Sequence, residues 1–225
     1  MRSLLARLLV LPWILACGSP HRVVGPADMP DTGRPTAGAQ PWAVPDGFRS
    51  ETIPFPLDFA PTVTHQGVEE LRFPPGFLDP AAAGYWAYTF AWRTTDAADL
   101  DAPALAAELT AYFRGLINAV DEAKAITDRA AIVAHAEAAG PRFTLTAHVF
   151  DAFKTKLPLD LVGWAERHAC GSGAVWRFVL APADSSLRPQ LESLAAEAAC
   201  DQPPPPAQPK PRAPPPPAQL TPPAS

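Results

Sequence analysis

Cysteine is scarce in this 225-residue chain: only Cys17, Cys170 and Cys200 occur, an odd number, so in an exported protein one of them needs a separate fate. Long apolar runs are missing as well. The longest, Leu8 to Leu15, is far short of the roughly twenty residues that a membrane-spanning helix requires. There is no basic excess, since the formal charge is -5, and bulk electrostatics therefore disfavour nucleic acid as a partner. HExxH, P-loop and dinucleotide fingerprints are absent, and "GSG" at Gly171 to Gly173 is too short for a nucleophile elbow. No cofactor or metal is called for by any motif, and no catalytic residue is assigned.

What is present begins at the amino terminus. Arg2 and Arg7 form a positive region, Leu8 to Leu15 an apolar core, and Ala16 a small residue before Cys17, the order of a secretory signal. The stretch Ile14-Leu15-Ala16-Cys17-Gly18 resembles the lipobox of bacterial lipoproteins, with Ile14 and Leu15 standing where that pattern prefers Leu and then Ala or Ser. The resemblance implies a signal peptide over 1–16, cleavage before Cys17, and diacylglycerol and palmitate on its thiol. It further implies a lipid-anchored protein of the bacterial cell envelope, with its membrane contact made through that lipid. Gly18 is not the Asp that marks inner-membrane retention, so the periplasmic face of the outer membrane is the expected location. Loss of Arg2 and Arg7 would leave a mature charge of -7.

With Cys17 acylated, Cys170 and Cys200 are free to pair. A bridge between them closes a loop of about 30 residues, worth about 3.6 kcal/mol by chain entropy, and the periplasm permits it. Proline marks the limits of the folded part. Residues 17–50 are dense in turn formers and read as anchor and tether. In 203–225, twelve of 23 residues are proline and the charges are Lys210 and Arg212, which predicts a disordered tail of polyproline II character. Between them, 51–202 is long enough for one domain.

That domain reads as α+β: an antiparallel sheet of six or seven strands with two main helices. "ETIPFPLDFAPTV", interrupted by Pro54, Pro56 and Pro61, predicts an edge strand, and "GVEELRF" predicts a second strand. "GYWAYTFAWR" alternates, placing Trp86, Tyr88, Phe90 and Trp92 on one face as core or as a ligand platform. Leu105, Leu109, Tyr112, Phe113, Leu116, Ile117 and Val120 form a helical stripe, with Asp101 as cap and Pro103 in the first turn. The alanine-rich 130–139 fits strand or helix. "PRFTLTAHVF", "KLPLDLVGWAERHAC" and "AVWRFVLAP" are strands, and a last helix capped by Ser185 or Ser186 carries Leu187, Leu191, Leu194 and Ala198 to Cys200. This order of elements resembles that of photosystem II PsbP and Mog1 domains. The segments "PFPLDFAP", "GVEELRFPPG", "AYFRGL" and "FDAFKTKLPLDL" resemble those of an uncharacterised exported bacterial family.

Three constellations merit weighing as chemistry. Glu166, His168 and Cys170 alternate along one strand and share a face, where a thiolate beside an imidazole could act, but Cys200 offers the competing disulfide. His135, His148 and His168 lie on successive strands, but a turn at Lys154 and Thr155 sets His148 opposite Leu161, about 23 Å from the level of His168, too far for one metal. Asp151 with Asp160, and Glu69 with Glu70, read as ordinary surface acids. The functional expectation is therefore a non-catalytic binding or structural module with an envelope-protein or cell-wall partner. The alternatives are a carrier of a small apolar ligand, signalled by a wide apolar cavity under the aromatic strand, and an envelope enzyme.

Overall fold

Alternation along β2 (Gly67–Phe73) sends Glu69, Leu71 and Phe73 to one side and Val68, Glu70 and Arg72 to the other, and both sides are covered. The computed structural model describes residues 41–96 and 99–202. It holds one antiparallel sheet of seven strands in the order β1-β2-β3-β7-β6-β5-β4. The remaining strands are β1 (Arg49–Pro54), β3 (Tyr88–Thr94), β4 (Val133–Ala139), β5 (Arg142–Phe150), β6 (Pro158–Cys170) and β7 (Gly173–Ala181), with helices α1 (Ala102–Val120) and α2 (Arg188–Ala196). This is the expected α+β class. The alanine-rich segment resolves as strand β4, pairing Val133 with His148 and Ala139 with Arg142 at the sheet edge.

The two faces carry different layers. On one, α1 buries Leu105, Leu109, Tyr112, Phe113 and Ile117 against Phe90, Trp92, Trp176, Phe178 and Leu145. Asp101 caps this helix by accepting the Ala104 N–H at 2.9 Å, and a proline occupies its first turn, as its sequence predicts. On the other face, Leu191, Leu194 and Ala195 of α2 cover Val175 and Val179 of β7 and Ala91 of β3. No serine side chain caps α2: its N-cap is Leu187, and Ser185 Oγ only accepts the Leu187 N–H at 3.4 Å. Proline in the first turn starts the helix instead.

The expected signal peptide over 1–16, the expected acylation at Cys17, the expected tether as far as residue 40 and the proline-rich 203–225 lie outside the described residues. Residues 41–50 correct the expected tether limit. Trp42 is buried against Leu194 and Val175, its indole N–H donates to Leu194 O at 2.8 Å, and β1 already begins at Arg49.

Candidate functional site

Of the aromatic strand, Tyr88, Phe90 and Trp92 point under α1 as predicted and are buried. Phe90 stacks on Phe178 with centroids 4.3 Å apart, and Trp92 meets Phe178 at 4.7 Å, so around these two rings the space is filled. Trp86 differs. It precedes β3 in a loop with φ +48 and leaves the alternation, but still turns its ring into the same apolar layer, 5.7 Å from Phe77 and 5.8 Å from Phe153.

Beside Trp86 the packing opens. A cleft of about 220 Å³ lies between the β1–β2 side of the sheet and the C-terminal half of α1. Leu71, Phe73 and Tyr88 form its floor, Tyr112, Leu116 and Val120 its helical wall, and Phe77, Trp86 and Phe153 its end. Glu51 is its one charged lining residue. The apolar stripe of α1 supplies one side of it: Leu116 and Val120 continue the stripe but are only partly buried, because they face this open space rather than a filled core. The volume is below the roughly 300–1,000 Å³ of sites that engulf drug-sized molecules, so an occupant would be one ring system or one short chain.

Two buried polar groups behind this wall were not legible as a site. Glu69, read from sequence as a surface acid, is fully buried. Its Oε1 accepts the Trp92 indole N–H at 3.1 Å, while Oε2 has no hydrogen-bond partner among the described residues. Burial pushes its carboxyl up to about 8 despite the opposing influence of Trp92 and Tyr112, and nearby Glu51 adds to the rise. The carboxyl is therefore protonated and uncharged at neutral pH. His65, on the loop before β2, is 3% exposed. Its Nδ1 lies 3.2 Å from Asp96 Oδ2 and its Nε2 2.9 Å from Glu108 Oε2. Burial would lower its basicity, but the two carboxylates prevail and raise it, favouring the imidazolium. Both ring nitrogens are thus committed within the fold.

Glu70 faces the opposite side and is paired rather than solvated. Arg93 Nε donates to its Oε1 at 2.6 Å and Arg72 to its Oε2 at 3.2 Å. Asp151 is likewise no surface acid. Burial would push its carboxyl up, but the backbone N–H groups of Thr155, Lys154 and Phe153 and the Tyr85 hydroxyl hold it down to about 2, so it stays ionised.

Glu166 and His168 do share a face of β6, at 3.3 Å, and Arg177 also contacts His168. Cys170, however, is bonded to Cys200, so no thiol stands in this group. The register corrects one detail: His148 pairs with Asp160, not Leu161, and its Nδ1 lies 2.7 Å from the Asp160 carboxylate. The connection closes with Asp151 N donating to Leu157 O, which fixes the pairing one residue away from the expected register. Among the described residues, no group of three or more His, Cys, Asp and Glu side chains is arranged to hold a metal. Compared with protein-family models, curated proteins and solved structures, the chain matches none.

Proposed function

We propose that this is a lipid-anchored binding module of the bacterial cell envelope, non-catalytic, whose aromatic cleft takes a small, uncharged apolar ligand or a single apolar group of an envelope partner. The cleft carries this reading: a partly open apolar space of about 220 Å³ with one charged residue at its lining is the feature expected of a carrier of small apolar molecules. Glu69, behind Tyr112, is kept protonated by burial and so adds no second charge beside the cleft, which suits an uncharged occupant. The committed states of His65, Glu70 and Asp151 support binding over acid–base chemistry, since each is engaged by fixed partners. The Cys170–Cys200 disulfide supports export to an oxidising compartment.

The test is titration with indole and toluene, followed through the methyl NMR signals of Leu116 and Ala119. Saturable shifts are expected, and they should vanish in Ala119→Trp, which fills the space from α1. Binding that survives this substitution, or no saturable shift at either methyl, would remove the cleft from the reading. Mass analysis of the mature protein tests the anchor, and an unmodified Cys17 would sink it.

A further inference from the structure

The loop from Asp151 to Leu157, between β5 and β6, shows Phe153 and Leu157 to solvent and is nevertheless tightly built. Large exposed hydrophobics among the described residues are Val44, Phe153 at 37% and Leu157 at 63%, so two of the three stand in this one loop. Flexibility does not explain them. Asp151 accepts the N–H groups of Phe153, Lys154 and Thr155 and the hydroxyls of Thr155 and Tyr85. Asp151 N donates to Leu157 O, Lys156 N donates to Asp151 O, and Leu157 N donates to Thr155 Oγ. Lys156 reaches the carbonyl of Ala152 and lies 3.7 Å from Asp121, tying the loop to the end of α1. A segment fixed this thoroughly keeps Phe153 partly and Leu157 largely exposed, on either side of Lys154 and Lys156.

The surroundings carry a matching charge. Lys154 and Arg49 face one groove beside the cleft, with Asp79 its single acid, although the chain as a whole is at -5. Phe153 also forms the end of the cleft, so the apolar surface runs without interruption from the loop tip to the interior. Exposed aromatic and aliphatic groups flanked by cations suit the boundary between headgroups and acyl chains, and a preorganised loop loses little freedom on entering it.

We propose that the Asp151–Leu157 loop is a membrane-contacting lip: Phe153 and Leu157 enter the headgroup boundary of an anionic bilayer, Lys154 and Arg49 meet its charge, and the mouth of the cleft opens against that surface. The acyl anchor would hold the protein at a membrane in any orientation, whereas this contact selects one. It requires neither an acylated Cys17 nor a ligand in the cleft.

The experiment places the full chain on bicelles of phosphatidylglycerol and phosphatidylcholine containing a doxyl-labelled lipid, and reads paramagnetic broadening of methyl signals. Leu157 should broaden at least tenfold more than Val44, another solvent-exposed apolar residue two positions after Trp42, which packs on α2, and the internal control. Replacing phosphatidylglycerol with phosphatidylcholine, or introducing Lys154→Glu, should reduce the Leu157 effect severalfold, and Phe153→Ser should do the same without touching the charge. Ala119→Trp should leave the effect intact, which separates this contact from ligand binding. Equal broadening of Leu157 and Val44, or broadening of neither, would overturn the proposal. So would concentration-dependent self-association abolished by Phe153→Ser without change in broadening, which would assign the tip to a second copy of the chain.

Discussion

Glu69 and Glu70 are adjacent in the chain and opposed in the fold, and their environments separate their chemistry. Glu70 has two guanidinium partners, whereas Glu69 accepts from the Trp92 indole, lies near Tyr112 and has no cation among its hydrogen-bond partners in the described residues. Because burial raises Glu69 from about 4.5 to about 8, the folded protein keeps a proton that the unfolded chain releases. Stability should therefore fall as pH climbs through that interval and level off above it. His65 acts in the same direction. Its raised value contributes stability at low pH that is lost as pH rises through the folded value. Asp151 acts oppositely, its contribution disappearing only as pH falls from about 4 towards about 2. Glu69→Gln should accordingly gain on the natural protein as pH rises, reaching a few kcal/mol by pH 9 at about 1.4 kcal/mol per unit. Thermal unfolding of both proteins across pH 5 to 9 is the measurement, and parallel curves would exclude Glu69 as the source.

At the scale of elements, α1 contains a sharp test of close packing. Gly115 lies in the helix interior, where replacing glycine with alanine ordinarily stabilises by about 1 kcal/mol. Here an added Cβ would come within 2.1 Å of the Phe59 carbonyl oxygen, a contact with backbone that cannot rotate away. Gly115→Ala should instead destabilise by about 1–3 kcal/mol, read as a lowered urea midpoint, since the loop must retreat from the helix. A stabilised variant would show that the two backbones are not so close. The helix itself was legible because its cap, its proline and its three-four spacing agree. β4 was not, since alanine serves both periods, and its strand state follows from pairing with β5. The α2 cap misled because serines before the helix outweighed Pro189, the better start signal. The one-residue error at His148 arose from centring the turn on two residues of a seven-residue loop. Glu69 carried a readable sign, for strict alternation in "GVEELRF" puts one glutamate inside whichever face is apolar. His65 carried none: its partners come from sequence positions 31 and 43 residues away. The cleft was hidden for a similar reason, because how closely the end of α1 sits on β2 and Tyr88 depends on tertiary placement.

For the whole molecule, the covalent and polar ties converge on residues 198–202. Cys170 at the end of β6 is bonded to Cys200, beyond the last residue of α2 rather than within it. Arg177 donates to Ala198 O at 2.7 Å, and Arg93 reaches Ala199 O and Gln202. Replacing both cysteines with serine should lower stability by about 2–5 kcal/mol while leaving the cleft able to bind indole. Differential scanning calorimetry checks the first outcome and the methyl titration the second. An unchanged melting temperature would mean that the arginine contacts alone hold the segment.

This junction also determines how the fold would respond to tension. A pull applied beyond residue 202 meets the sulfur–sulfur bond before it can reach α2, so the force passes into β6, an interior strand bordered by β5 and β7. Those two ladders would have to be loaded together, whereas the short helix above them is bypassed. The carboxyl end is thereby a mechanical handle on the middle of the sheet, and reduction of a single bond would convert it into a ripcord for α2.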